Sequence, residues 1–295
     1  MRGLSKIGFV TDSTAYLPRD FKGEFQIEVV SLIVSFEGES HKEDELYEEF
    51  KEFNERIGRV PQLPTTSQPS VGDFLEAYRR LGEGCESIIS VHISGGISGT
   101  VQSARAAAQM LPELDITVID SGSTAVGIYT ILDAAARAAR AGLEKERVLE
   151  IIDHIVKNQL LLMLPATLDY LRKGGRIGGA AALLGNLLQI KPILYFNPAK
   201  GYIIDLYDKV RTREKAFQRL LAEMEKRPHP MKTVIGHVNA EEESRALAER
   251  IKERYPEYCP EILPVGPVIG THIGPGAMGL CFYPLTPELQ RLVKY

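Results

Sequence analysis

Three short stretches of the chain share hydroxyl side chains and small residues, although they lie far apart in the sequence. They read PTTSQPS at 64–70, HISGGISGT at 92–100 and THIGPGAMG at 271–279. Serine and threonine hydroxyls donate hydrogen bonds, and backbone N–H groups at helix N-termini favour anions. The residue types therefore indicate an anion-binding site if the stretches meet in the folded chain. Turns and helix caps without a ligand would explain the same residues.

The HISGGISGT stretch stands where ligands commonly bind in open α/β sheets. It follows a predicted strand at 87–94 and opens a predicted helix at 98–111. Ligands in such sheets bind outside the carboxyl ends of strands, near helix N-termini. Gly95 would let the backbone approach a ligand closely, and Ser98 would lie at the start of the helix. The stretch has no GxSxG motif, so the nucleophile elbow of α/β-hydrolases is not indicated.

The THIGPGAMG stretch contains the spacing GxGxxG, at Gly274, Gly276 and Gly279. A dinucleotide-binding interpretation is rejected, because too few residues follow for a full βαβ unit and its acidic residue about twenty positions on. We expect instead a glycine-rich turn that places His272 in a crevice. A purely structural histidine would fit the same neighbours.

Two basic segments are further candidates for function. RKGGRIGG at 172–179 contains Arg176 between two glycine pairs, and KVRTRE at 209–214 contains Arg211. A basic run is usually a solvated surface, but the glycines lower helix propensity and indicate a shaped loop. The six histidines are scattered without a zinc-ligand spacing, so no metal site is expected.

The order of the predicted elements indicates an α/β fold. Short β-rich runs at 6–14, 28–36, 87–94 and 115–123 alternate with amphipathic helices in the first half. Strands that alternate with glycine-bearing loops and helices are typical of a parallel sheet covered by helices.

The second half has a different pattern. Predicted strands at 190–196 and 202–210 flank the turn sequence NPAKG, which favours an antiparallel hairpin. We therefore predict two α/β domains, at 1–160 with a mostly parallel sheet and at 161–295 with a mixed sheet.

The composition narrows the class of protein. With 35 basic and 39 acidic residues, the net charge of −4 argues against a broad nucleic-acid surface. The three cysteines, Cys85, Cys259 and Cys281, fit neither a disulfide framework nor a zinc ribbon, which favours reduced thiols and a cytoplasmic location. No run approaches the roughly 18 apolar residues of a membrane span, and the first residues do not form a signal peptide.

Taken together, the motifs resemble the DegV family, which includes the fatty-acid-binding B subunits of bacterial fatty acid kinase. The resemblance extends over essentially the whole chain, in order and at compatible spacings. Its motifs are TDSTA at 11–15, TTSQPS at 65–70, HISGGISGT at 92–100, VIDS at 118–121, KGGRIGG at 173–179, KVRT at 209–212 and THIGPGAMG at 271–279.

This resemblance implies a binding protein rather than an enzyme, with a long-chain fatty acid in a tunnel between two α/β domains. It implies that Thr66 and Ser98 hold the carboxylate and that His272 completes the polar cluster. Ser94 and Gly95 belong to the same loop. Many relatives carry two serines there, so one hydroxyl is missing from this chain.

The resemblance also implies a partner. A separate kinase subunit would phosphorylate the bound acyl carboxylate and so feed phospholipid synthesis. Arg176 is the first candidate for docking that subunit or supporting the transfer, and Arg211 is the second. No cofactor is expected beyond the bound fatty acid.

Two other functions remain open from the residues. One is an acyl hydrolase with Ser98 as nucleophile, His272 as base, and Asp12 or Asp120 orienting the histidine. The other is a carrier or sensor for a different small anion, with no kinase partner.

Overall fold

The computed structural model describes residues 5–60, 62–183 and 190–295. The strands in these ranges are β1 (Ser5–Asp12), β2 (Ile27–Val30), β3 (Ile33–Phe36), β4 (Glu39–Lys42), β5 (Thr65–Ser67), β6 (Cys85–His92), β7 (Ile116–Asp120), β8 (Leu160–Leu164), β9 (Lys191–Asn197), β10 (Ile203–Val210), β11 (Met231–His237), β12 (Glu261–Pro264) and β13 (Met278–Pro284). The α-helices are α1 (Arg19–Glu24), α2 (Phe50–Ile57), α3 (Val71–Gly82), α4 (Thr100–Gln109), α5 (Val126–Arg140), α6 (Lys145–Asn158), α7 (Asp169–Lys173), α8 (Arg213–Met224), α9 (Glu241–Arg254), α10 (Pro267–Ile273) and α11 (Pro287–Leu292).

The first part of the chain forms a parallel sheet in the order β2–β1–β6–β7. Strand β6 is buried along almost its whole length, as expected for a strand covered on both faces. Helices α3 and α4 pack against this sheet. Helix α3 begins with the capping box of Ser70 and Asp73, because each side chain accepts from the other residue's backbone N–H. The predicted parallel sheet is confirmed.

A small antiparallel sheet stands beside it, in the order β4–β3–β5. The single strand predicted at 28–36 is therefore wrong, because the chain leaves the parallel sheet at Ser31 and Leu32 and continues in the small sheet. The hydroxyl of Ser13 accepts from the N–H of Leu32 at 3.0 Å and holds the chain at this break. The small sheet matters for function because β5 carries Thr66.

The later part of the chain forms a six-stranded mixed sheet in the order β10–β9–β8–β13–β11–β12. Its neighbours are antiparallel except for β11 and β12. The predicted hairpin joins β9 to β10 through a turn in which Gly201 has a left-handed φ of 71°. The predicted mixed sheet is confirmed, although β12, a short strand between prolines, was not predicted.

Helix α5 lies between the two large sheets. Twelve of its 15 residues are buried, and it packs on β1 and β6 on one side and on β11 and β13 on the other. Because most of its surface is buried, the helix is rich in small and apolar side chains, and its few charged residues are paired.

The boundary between the two predicted domains stays a prediction. The sheets divide after helix α6, but one apolar core includes residues of both, such as Val91 and Val234. Within the described ranges, no helix combines the length and the apolar character that crossing a bilayer requires.

A buried charge network ties α5 to the mixed sheet. The side chain of Lys232 on β11 is only 1% exposed, and its ammonium group lies 3.8 Å from the carboxylate of Asp133 on α5. It also pairs with Glu261 on β12, which accepts a hydrogen bond from Tyr129 of α5 at 2.7 Å. Buried charges of this kind are tolerated because they are paired and hydrogen-bonded.

Replacing Lys232 with methionine should lower the free energy of unfolding by about 3 kcal/mol, because Asp133 would lose a compensating charge inside the protein. Urea denaturation at neutral pH measures the change. The matched control is Lys157→Met, since Lys157 pairs with Asp153 on the surface, where an ion pair contributes at most about 1 kcal/mol. Equally small losses in both variants would contradict the structural role of the buried lysine.

Candidate functional site

A cavity of about 290 Å³ lies between the two sheets. Both parts of the chain contribute to its wall, and most of the lining is apolar, including Ile93, Met163, Phe196 and Ile273. The polar part of the lining is drawn from segments that are distant in sequence. It comprises Thr66, Ser67, Gln68, Ser98, Thr124, Arg176 and His272.

Thr66 and His272 form the central polar contact of the cavity. The hydroxyl oxygen of Thr66 lies 2.7 Å from Nε2 of His272, although 206 positions separate the two residues. The geometry of strand β5 explains why the side chain of Thr66, and not that of Thr65, faces the cavity. Successive side chains of a strand face opposite sides, so half-buried Thr66 points inward while Thr65 is exposed.

His272 lies near the end of helix α10, and the glycine-rich turn follows the helix. His272 does line the cavity, but it belongs to helix α10 and not to the expected turn, because Pro267 at the first helical position starts a helix that runs to Ile273. The ring packs tightly against Gly174, where a Cβ atom would lie 2.3 Å from Nδ1. The RKGGRIGG loop therefore needs glycine at this position to accommodate the imidazole.

The protonation of His272 gives Thr66 a definite role. Burial, together with the nearby charge of Arg176, lowers the pKa of His272 to about 4, so the imidazole is neutral at pH 7. Its Nδ1 is buried without a hydrogen-bond partner among the described residues. Placing the single proton on Nε2 leaves no buried donor unsatisfied. Nε2 then donates to Thr66, whose own hydroxyl proton is free to donate into the cavity.

Ser98 lines the cavity just before helix α4. Its hydroxyl lies 2.8 Å from the hydroxyl of Thr100 and accepts from the Thr100 N–H at 3.3 Å. Gly99 also lines the cavity, so the helix begins at the cavity wall. The partial positive charge of a helix N-terminus favours an anion at this point.

Ser94 and Gly95 hold the loop rather than line the cavity. The buried hydroxyl of Ser94 donates to the carbonyl of Tyr202 at 2.9 Å, and the N–H of Gly95 donates to Asp120 at 3.0 Å. Neither is among the described residues that line the cavity. Their predicted contact with a ligand stays a prediction. The observed bonds join the loop to the β9–β10 hairpin and to the end of β7.

The two candidate arginines are placed differently. Arg176 lines the cavity and is also exposed, and its guanidinium donates to the carbonyls of Gly174 at 2.8 Å and Ile97 at 3.4 Å. Among the described residues of the lining, it is the one permanently charged side chain. Arg211 is exposed between β10 and α8, outside the described lining. The predicted roles of both in docking a kinase stay predictions.

The hydrolase arrangement is not assembled. Asp12 lies 3.0 Å from Nδ1 of His92, inside the parallel sheet, and Asp120 accepts from the backbone of Gly95 and Gly122. Over the described parts of the chain, neither carboxylate is hydrogen-bonded to His272. In the same ranges, no cluster of three or more His, Cys, Asp or Glu could hold a metal ion.

Glu43 lies outside the described cavity lining but stabilises one of the helices that form it. The sequence alone does not single it out, because it is one of many acidic residues. It is fully buried and accepts hydrogen bonds from Ser13 at 2.6 Å, Tyr16 at 2.8 Å and the N–H of Val268 at 2.7 Å. The Tyr16 hydroxyl accepts in turn from the N–H of Ile269 at 3.1 Å. One carboxylate thus fixes the start of α10, the helix that carries His272.

The fold and the cavity together define a class of protein, namely α/β proteins in which two sheets enclose a largely apolar cavity with several polar groups in its wall. Residues 6–285 match the DegV family, whose members are described as uncharacterised proteins. The chain is 37% identical to Protein DegV of Bacillus subtilis over 281 residues, which cover 94% of this chain and 98% of that protein. The chain belongs to the DegV family.

Solved structures agree with this assignment. A fatty-acid-binding DegV family protein from Thermus thermophilus matches with a TM-score of 0.88 at 32% identity, covering 95% of this chain and 100% of that one. The crystal structure of DegV from Bacillus subtilis, a fatty acid binding protein, matches with a TM-score of 0.83 at 35% identity and the same coverage.

The ionisation of Glu43 should be visible in the stability of the protein. Burial raises the pKa of Glu43 to about 7 from its ordinary value of 4.5. A raised acid pKa means that the folded state holds the proton more tightly. The stabilisation is complete below about pH 4.5 and is lost as the pH rises to about 7, by an amount on the order of 3 kcal/mol.

Urea denaturation at pH 5 and pH 8 of the wild type and of Glu43→Gln tests this expectation. The variant should lack this part of the pH dependence, because glutamine does not titrate. Asp44→Asn, which removes an exposed carboxylate from the neighbouring position, should behave as the wild type. Identical pH dependence in wild type and Glu43→Gln would refute the assignment.

Proposed function

We propose that this protein binds a long-chain fatty acid in the cavity between its sheets, with the carboxylate at the polar end. The observation that carries the proposal is the division of one cavity into two regions. The hydroxyl of Thr66 contacts the neutral imidazole of His272, which lies near Arg176, and apart from Thr124 the wall toward the other end is mainly apolar. A carboxylate with a long alkyl chain has the same division.

The head group would be bound by hydrogen bonds rather than enclosed in a tight ion pair. The hydroxyls of Thr66 and Ser98 supply donors, and the N-terminus of α4 adds a favourable partial charge. Because His272 is neutral, it adds no charge to the contact and serves to orient the Thr66 hydroxyl. Arg176 lies at the exposed side of the polar end and attracts an anion to it.

The alkyl chain would supply most of the affinity. Each methylene that leaves water contributes about 0.8 kcal/mol, so a long acyl chain gains on the order of 10 kcal/mol before ordering costs. The proteins from Thermus thermophilus and Bacillus subtilis are fatty acid binding proteins of the same fold, which supports the same ligand class here.

Thr66→Val should weaken the binding of palmitate roughly tenfold to hundredfold, because a buried carboxylate would lose about 1–3 kcal/mol of hydrogen bonding. Fluorescent displacement or calorimetry on delipidated protein measures the affinity. Thr65→Val is the matched control, since Thr65 is the exposed neighbour on the same strand. A wild type that takes up no long-chain acid would refute the proposed function, and equal affinities of both variants would refute the role of Thr66.

We further propose that the protein is a cytoplasmic carrier without catalytic activity of its own, and that a separate kinase converts the bound carboxylate to an acyl phosphate. The placement of Arg176 supports this view, because the residue belongs to the cavity and is also exposed. A carboxylate beside it would be reachable by a partner. Arginine stabilises the charge that develops on a transferred phosphoryl group. Arg211 would contribute a surface contact to the same partner.

Arg176→Ala should keep the fatty acid and lose acyl-phosphate formation when the loaded protein is mixed with a fatty acid kinase subunit and ATP. Labelled fatty acid allows retention and phosphorylation to be measured in one sample. Lys173→Ala, a nearby exposed cation outside the described lining, is the control and should retain both. Loss of the lipid itself would assign Arg176 to the head-group site, and phosphorylation at the wild-type rate would remove it from the transfer.

A further inference from the structure

A second, smaller cavity continues the main one away from its polar end. We call it the far pocket; it has a volume of about 30 Å³. It shares Thr124, Met163, Ile269 and Ile273 with the main cavity, so the two spaces meet along a common wall. The accessible surface of the far pocket is apolar. An alkyl chain that starts at Thr66 and His272 therefore has an apolar continuation.

Two valines line the far pocket around Gly236. Gly236 on β11 lies against both, since a Cβ atom there would be 2.9 Å from a methyl group of Val126 and 3.2 Å from a methyl group of Val265. Both valines are buried and line the far pocket. We call Val126 and Val265 the terminal wall.

An open groove lies on the other side of Val265. It has a volume of about 1060 Å³ and runs between α2 and the start of α9, where charged residues such as Lys51 and Glu242 line it. Val265 and His237 line both the far pocket and the groove. One layer of side chains therefore separates the apolar end of the cavity from solvent.

We propose that the methyl end of the bound fatty acid occupies the far pocket and that the terminal wall sets the longest acyl chain the protein holds fully buried. This assignment rests on the proposed binding of a fatty acid. Methylenes gain free energy only while they leave water for an apolar surface. A chain that reaches Val126 and Val265 has no more enclosed apolar space, so further methylenes must fold back or displace the wall.

A different route for the tail is less favourable. A pocket lined by Tyr195, Tyr202 and Tyr207 shares Phe196 with the main cavity. Its wall also contains Lys157 and the guanidinium of Arg227, polar groups that an alkyl chain would separate from water without replacing their hydrogen bonds. The accessible surface of the far pocket is apolar, and it shares four residues with the main cavity where the tyrosine-lined pocket shares one.

The test is the dependence of affinity on chain length. Dissociation constants are measured on delipidated protein for saturated acids of roughly 10 to 20 carbons. Each methylene that enters the cavity should tighten binding about fourfold. Methylenes beyond the wall should add nothing, which produces a break at one chain length in the wild type.

Two substitutions should move the break in opposite directions. Val265→Ala removes two methyl groups from the wall and opens the far pocket toward the groove, so the break should shift to longer chains. Ala277→Val adds two methyl groups inside the far pocket, where Ala277 is buried, and should shift the break to shorter chains. Val10→Ala is the matched control, because Val10 is equally buried but packs in a separate core on the other side of the parallel sheet.

Failure of the proposed terminal wall and failure of fatty-acid binding give different results. A break that moves in Val265→Ala while Val10→Ala keeps the wild-type break supports the wall, even if Ala277→Val does not fold. Normal binding with the same break in wild type and Val265→Ala overturns it. A wild type that binds none of the acids refutes the fatty-acid proposal itself.

Discussion

The burial of helix α5 between two sheets is the constraint on which the rest of the structure depends. The helix packs on β1 and β6 of the parallel sheet and on β11 and β13 of the mixed sheet, so the two sheets keep a fixed spacing along its length. Beyond its N-terminus, at Thr124 and Ala125, the helix no longer fills that space. The cavity begins there. Its depth thus follows from where one helix starts, and residues of the shared core line part of its wall.

Residues from three separate segments of the chain, and not one sequence motif, form the polar end of the cavity. Thr66 comes from a short edge strand, Ser98 from the loop before a helix, and His272 from a helix of the later part of the chain. None of these side chains is charged at neutral pH, which limits the desolvation penalty of assembling them in an apolar space. The buried carboxyl group of Glu43 lies outside the described cavity lining and fixes the helix that carries His272. Positioning and binding are therefore done by different residues.

Patterns that depend on local geometry were predictable from the sequence, and those that depend on distant packing were not. The capping box at Ser70 follows from residue types within a few positions. The strands of the parallel sheet follow from their β-rich runs and from the helices between them. The break at Ser31 and Leu32 does not, because a distant hydroxyl, Ser13, stabilises it. Helix α10 was not predicted because it carries Gly270 and follows Gly266, and these glycines leave room for Asn54 and for the rings of Phe50 and Tyr16. The hydroxyl of Ser94 looks like that of Ser98 in sequence, yet a carbonyl 108 positions away determines its direction.

The placement of α5 has a consequence for synthesis on the ribosome. The helix is complete at Arg140, but β13, which covers part of its second face, begins only at Met278. At ~5–20 residues per second, the roughly 140 intervening residues take on the order of ten seconds to make. During that interval the parallel sheet can form while an apolar helix face remains uncovered. Transiently exposed apolar surface promotes aggregation, so a chaperone bound to this face would protect the nascent chain until the mixed sheet forms.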